Sequence, residues 1–267
     1  MRGYLSVFRL RLSIGLQYRG AALAGICTQF FWGFLIIMVF EAFYSQTLTE
    51  PPISLTQLIT YVWLQQAFLS FIALWFRDNE LFQLITSGNI AYELCRPSDI
   101  YSLWYAKLLA QRLSSAILRC IPVISVACFL PQPYRLPLPA DLSTLMLFVV
   151  TLLLGLLILV SISMLIYIST FVTMSSAGSL LMFGVLGEFL AGMIIPVPLM
   201  PSWLQSIVNV LPFRLCADLP FRVYSGHITN IEALTLIPLQ LLWLSALVGI
   251  GKYTISKALR KIVVQGG

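Results

Sequence analysis

Residues 143–195 are almost wholly apolar. At 1.5 Å per residue a single helix of that length would run about 80 Å, against a hydrocarbon core of about 30 Å. The run must fold back on itself. Its softest point is Ser169 to Ser176, S-T-F-V-T-M-S-S, followed by Gly178. Two membrane spans are expected from it, at about 144–168 and 175–195.

The rest of the chain follows the same logic. Only 10% of its 267 residues are charged and 59% are hydrophobic, where a soluble domain carries about 25% charged residues. Helices are the expected spanning element, because each satisfies its own backbone hydrogen bonds in lipid. Barrel strands would show alternating runs of about ten residues, and these runs are longer and continuous. Further spans are expected at about 21–43, 58–76, 108–130 and 234–254. The fold expected is an all-α polytopic membrane protein with six transmembrane helices, forming a single domain over residues 1–267.

The connections carry their own signals. Residues 2–18 place Leu5, Phe8, Leu12 and Leu16 on one helical stripe, bordered by Arg9. This predicts an amphipathic helix lying at the membrane surface. The same residues also fit a plain basic flank to the first span. Asn79 to Thr86 predicts a short helix ended by Gly88 in the left-handed conformation. Pro97 blocks a continuous helix, and Ser98 or Asp99 caps the next one. Pro131, Pro133, Pro137 and Pro139 mark an external loop. Pro196, Pro198 and Pro201 end the fifth span, Ser202 to Val210 reads as a short amphipathic helix, and Phe213 to Asn230 reads as irregular.

Lys and Arg placement predicts the topology. The amino end carries Arg2, Arg9, Arg11 and Arg19, the 77–107 loop carries Arg77, Arg96 and Lys107, and the carboxyl end carries Lys252, Lys257, Arg260 and Lys261. The opposite side has Arg135, Arg214 and Arg222. Both ends and the 77–107 loop are therefore expected in the cytoplasm.

No hydrolytic site is legible. Gly249-Ile250-Gly251-Lys252 lacks P-loop spacing, since Tyr253 follows the Lys. The only histidine is His227, and the five cysteines are scattered. Neither a metal site nor an intramembrane enzyme is expected, and no nucleic-acid partner. Polar residues inside spans include Gln29, Gln65, Gln66 and Glu188, with Glu41 near the outer end of the first span and Arg112 and Arg119 seven apart on one face of the third. Each ionisable group there costs about 2.5–3.5 kcal/mol on insertion scales, so each needs a reason: a polar path, or pairing and packing. For Arg112 the second reading is a side chain that snorkels to the inner surface.

Three stretches carry a resemblance to a known family. Residues 85–99 read I-T-S-G-N-I-A-Y-E-L-C-R-P-S-D, residues 189–204 read F-L-A-G-M-I-I-P-V-P-L-M-P-S-W-L, and residues 211–226 read L-P-F-R-L-C-A-D-L-P-F-R-V-Y-S-G. In order and layout the chain resembles a type-2 ABC-transporter permease, the membrane subunit of an ATP-driven exporter, and within that family the branch with viologen-exporter-like permeases.

The resemblance implies a coupling helix in the first cytoplasmic loop that docks into a separate ATPase subunit. Carried onto this chain, the docking segment is about Asn79 to Asp99, with Glu80, Glu93 and Arg96 as polar contacts and Ile90, Tyr92 and Leu94 as apolar anchors. It also implies an external re-entrant segment over about Pro196 to Gly226. The path between two permeases, identical or related, would run near Gln29, Gln65, Gln66 and Glu188. ATP and Mg would bind the ATPase, leaving this chain with no cofactor of its own, in a bacterial inner membrane. The alternatives are an ion-gradient-driven secondary transporter, which would want paired intramembrane carboxylates, and a non-transporting membrane scaffold.

Overall fold

The computed structural model describes residues 2–17, 19–46, 50–74, 78–95, 97–173 and 176–260. Every regular element among them is helical. Four helices are long and apolar enough to cross a bilayer: α2 (Arg19–Gln46), α7 (Ile100–Phe129), α8 (Leu142–Thr173) and α12 (Asn230–Leu259). They cover the first, third, fourth and sixth expected spans. The described part of α8 runs to Thr173 and α9 (Ser176–Leu190) follows it, so the expected fold-back at Ser169 to Ser176 takes in residues 174 and 175, which lie outside the described residues.

The other two expected spans take a different form. The second is two pieces, α3 (Leu55–Ala67) and α4 (Leu69–Ile72), interrupted at Phe68. Ser54 and Gln57 form a capping box at the start of α3. Neither Gly nor Pro occurs at the break. Its support comes from elsewhere: Phe68 packs its ring against Phe71, Phe148 and Phe221. The described part of the fifth expected span is short. α9 has 15 residues, about 22 Å of helix where a crossing needs about 30 Å. The chain then turns at Gly192, whose φ of +80° is left-handed.

α1 (Arg2–Gln17) forms over the expected amino-terminal segment and lies along α7. The approach is close, because a Cβ on Gly15 would fall 2.6 Å from the Ser114 Cβ. Tyr4 and Val7 turn to the core, whereas Leu5 is exposed. The other residues of the expected stripe, Phe8, Leu12 and Leu16, are half-buried.

α5 (Asn79–Thr86) and α6 (Ile90–Leu94) fill the connection before α7. Gly88 has φ +76° and Asp99 caps α7 by accepting from Ser102 N–H, both as the sequence predicts. α10 (Ser202–Val210) also matches. The stretch from Phe213 does not: it holds a 3₁₀ turn at Phe213–Leu215 and a buried helix, α11 (Asp218–Tyr224). Pro220 does not prevent α11, because it sits in the first turn, where its missing N–H has no helical partner to lose.

α8 is the most buried of the long helices, and α12 packs along one side of it with its other face exposed. Gly155 of α8 lets the 3₁₀ turn approach, since a Cβ there would meet the Leu215 and Cys216 carbonyl oxygens at 2.9 Å. Gln240 of α12 fixes the same place by donating from Nε2 to the Thr151 and Leu215 carbonyls at 2.9 and 3.0 Å. α1, α5 and α6 gather at one end of the bundle, and α10 and α11 at the other.

Candidate functional site

The α5–α6 connection is anchored on one side and open on the other. Asp78 caps α5, accepting from the N–H groups of Glu80 (2.9 Å) and Leu81 (3.4 Å). Its own N–H donates to the Tyr167 hydroxyl of α8 at 2.6 Å. Arg11 of α1 pairs with Glu80 and lies 4.0 Å from Asp78. α5 buries Leu81, Phe82 and Ile85, and the Phe82 ring sits 4.3 Å from that of Tyr167.

The candidate docking residues divide between the two sides. Ile90 is buried at 1% exposure and belongs to the core. Glu93 is buried too, accepting from Lys107 Nζ at 2.8 Å and from Trp104 Nε1 at 2.5 Å. These two fasten α6 to the bundle. Tyr92 and Leu94 are 75% and 41% exposed, and the Glu80 side chain is also exposed. Arg96 lies outside the described residues, as do Arg77 and Lys261. A last tie runs from the Asp99 N–H to the Tyr4 hydroxyl at 2.9 Å.

The four candidate path residues are not joined to one another by hydrogen bonds among the described residues. Gln29 of α2 is 2% exposed, and neither of its amide atoms has a partner. Gln65 of α3 donates to the Met193 carbonyl. Gln66 packs where α2 and α3 come closest: a Cβ on Gly33 would meet Trp63 Cζ3 at 2.9 Å and Gln66 Cγ at 3.3 Å. Glu188 of α9 is half-buried, and its Oε1 is enclosed without a partner. Unpaired buried amides and carboxyls are costly, and Gln29 and Glu188 are among the described side chains that carry one.

Arg112 does not snorkel. It is buried, with Nη1 donating to the Phe71 and Ala73 carbonyls at 3.3 and 2.8 Å and Nη2 to Ser163 Oγ at 3.1 Å. It caps the carbonyl end of α4, where helix carbonyls would otherwise lack partners.

Sequence reasoning missed a second buried cluster, at the α11 end. Asp218 is fully buried. It accepts from the Val197 N–H at 3.3 Å and from Arg222 Nη1 at 3.2 Å. The Tyr61 hydroxyl lies 3.0 Å from the Gly192 carbonyl and 3.3 Å from Asp218 Oδ1. One carboxylate therefore ties α3, the turn after α9 and α11 together. The signal available was the spacing of Asp218 and Arg222, one helical turn apart. Among the described residues, no group of three or more His, Cys, Asp or Glu is placed to hold a metal ion.

The sequence model of one protein family, described as ABC-2 family transporter protein, matches residues 26–266. No curated protein and no solved structure matches the chain. The match runs from the first turns of α2 through α12 and takes in both ends of the bundle. The chain belongs to the ABC-2 transporter family and is a membrane permease subunit of an ABC transporter.

Proposed function

We propose that this permease is the membrane half of an ATP-driven exporter, coupled to a separate ATPase through α5 and α6. The observation that carries the reading is the two-sided build of this connection. Glu93, Ile90, Leu81 and Phe82 hold it rigidly to α7 and α8, while Tyr92, Leu94 and Glu80 stand outside. Exposed apolar residues on a braced polar connection suit a protein partner. The docking surface is therefore Glu80, Tyr92 and Leu94, and Ile90 and Glu93 transmit its movement to the bundle.

On this reading the chain crosses the membrane six times, with α3–α4 and α9 as the two shorter crossings. Both termini lie in the cytoplasm of a bacterial cell, following the Lys and Arg bias. α1 packs along the cytoplasmic half of α7, and residues 196–226 re-enter from outside. A second permease, identical or related, completes the path, and Gln29, Gln65, Gln66 and Glu188 are its candidate polar contacts. ATP and Mg belong to the ATPase.

Affinity purification from native membranes in mild detergent tests the reading. Wild type should bring down a P-loop ATPase in stoichiometric amount. Changing Tyr92 and Leu94 together to Asp should release it, with the permease eluting and melting as before. Retention of the ATPase by that variant would sink the docking assignment. Its absence from wild type would sink the exporter reading.

A further inference from the structure

A cavity of about 460 Å³ opens at the α11 end of the bundle, within the range of small-molecule sites. Its polar wall is Gln205 and Asn209 of α10, Arg214, Arg222, His227 and Glu232. Arg214 is more than nine-tenths buried. Its Nε donates to the Asn209 carbonyl at 3.3 Å. Among the described residues no carboxylate lies within 4.0 Å of it, and its terminal nitrogens have no acceptor. Arg222 spends Nη1 on Asp218, and its buried Nε is also without a partner.

Buried charges are normally paired. Asp218 is already engaged by Tyr61, Val197 N–H and Arg222. Two guanidiniums therefore line the cavity with donors to spare. Planar guanidinium donors match the oxygens of a phosphate. Glu232 supplies a single carboxylate on the same wall, suited to an ammonium group.

The surroundings are apolar and outward-facing. Gln205 and Asn209 line the cavity one turn apart on α10, while Trp203, Ile207 and Val210 on its other face are exposed. Ile231 and Leu234 beside Glu232 are exposed as well. Trp is favoured at the membrane interface.

We propose that this cavity binds the zwitterionic headgroup of a phospholipid. The phosphate sits against Arg214 and Arg222, the ammonium against Glu232, and the acyl chains against the outer faces of α10 and α12. The site uses none of the proposed docking residues, so it stands or falls apart from the exporter reading.

The test uses the full chain in mild detergent, with bound molecules counted by native mass spectrometry. The probes are short-chain phosphatidylethanolamine, phosphatidylglycerol of the same chain length, free phosphoethanolamine and inorganic phosphate. Wild type should bind one phosphatidylethanolamine saturably, in preference to phosphatidylglycerol. Arg214→Gln should weaken both lipids at least tenfold. Glu232→Gln should abolish the preference while leaving phosphatidylglycerol binding unchanged. If Arg214→Gln does not fold, Asn209→Leu at the exposed cavity rim should weaken both lipids in the same assay. Lipid binding unchanged in the folded cavity variants, or no saturable binding by wild type, would overturn the site. Free phosphoethanolamine or inorganic phosphate binding as tightly as the lipid would overturn the lipid assignment in favour of a soluble phosphate.

Discussion

Replacing Glu93 with Ala removes one half of the buried ion pair that fastens α6 to α7. At 2.8 Å and an effective dielectric near 20, the gross attraction is about 6 kcal/mol. Much of that offsets the desolvation of both groups. Removing one partner strands the other, and the Lys107 side chain is only 9% exposed. The expected cost is about 3–5 kcal/mol. α6 has five residues and buries only Ile90 and Glu93, so the loss should appear first as local opening. Each 1.4 kcal/mol is about tenfold. Hydrogen exchange over residues 88–98 should therefore quicken by roughly a hundredfold or more, while α12 amides stay protected. Lys107→Met should do the same by stranding Glu93. The double change, Glu93→Ala with Lys107→Met, should recover most of the protection, because no buried charge is left alone. Exchange in the single variants equal to wild type, or additive loss in the double, would refute the claim that this pair anchors α6.

Gly192→Ala should lower the thermal midpoint in detergent. The left-handed backbone costs a Cβ-bearing residue about 1–2 kcal/mol, and the new Cβ would lie 2.6 Å from the Tyr61 hydroxyl. An unchanged midpoint would mean that the turn after α9 is not held by Tyr61 and Asp218. Burial, with Arg222 nearby, holds His227 below the usual histidine range. The unfolded chain therefore takes up its proton first as pH falls below about 6.5. Wild type should lose stability relative to His227→Asn below that pH and match its trend above it, as unfolding midpoints between pH 5 and 8 would show.

The sequence was most legible where the signal is local. The Asn79–Thr86 helix, its stop at Gly88 and the Asp99 cap each rest on a few adjacent residues, and each is present. The expected fold-back rested on two things, an apolar run too long for one crossing and the polar stretch Ser169 to Ser176 within it. The break at Phe68 was illegible because its causes are distant: Arg112 on α7 takes the α4 carbonyls, and rings from α8 and α11 pack on Phe68. α11 was hidden by Pro220, which reads as a breaker unless its place in the first turn is known. In α6 five residues are too few to phase a helix, so Ile90 and Glu93 could not be told from Tyr92 and Leu94. That sorting depends on Lys107 and Trp104, which lie on another helix.

α7 joins the two halves of the proposed mechanism. Its first turns hold α6 through Trp104 and Lys107, and five residues on, Arg112 holds the end of α4. On the proposed reading, a push on α6 reaches α4 through one continuous helix. The separation of these ties is measurable. Arg112→Met removes the donors to the Phe71 and Ala73 carbonyls, and each orphaned buried carbonyl costs about 1–3 kcal/mol. Hydrogen exchange over residues 69–74 should quicken at least tenfold, with residues 88–95 unchanged. If both segments loosen together, α4 and α6 form one unit, and Arg112 is a general brace of the bundle rather than a separate tie on α4.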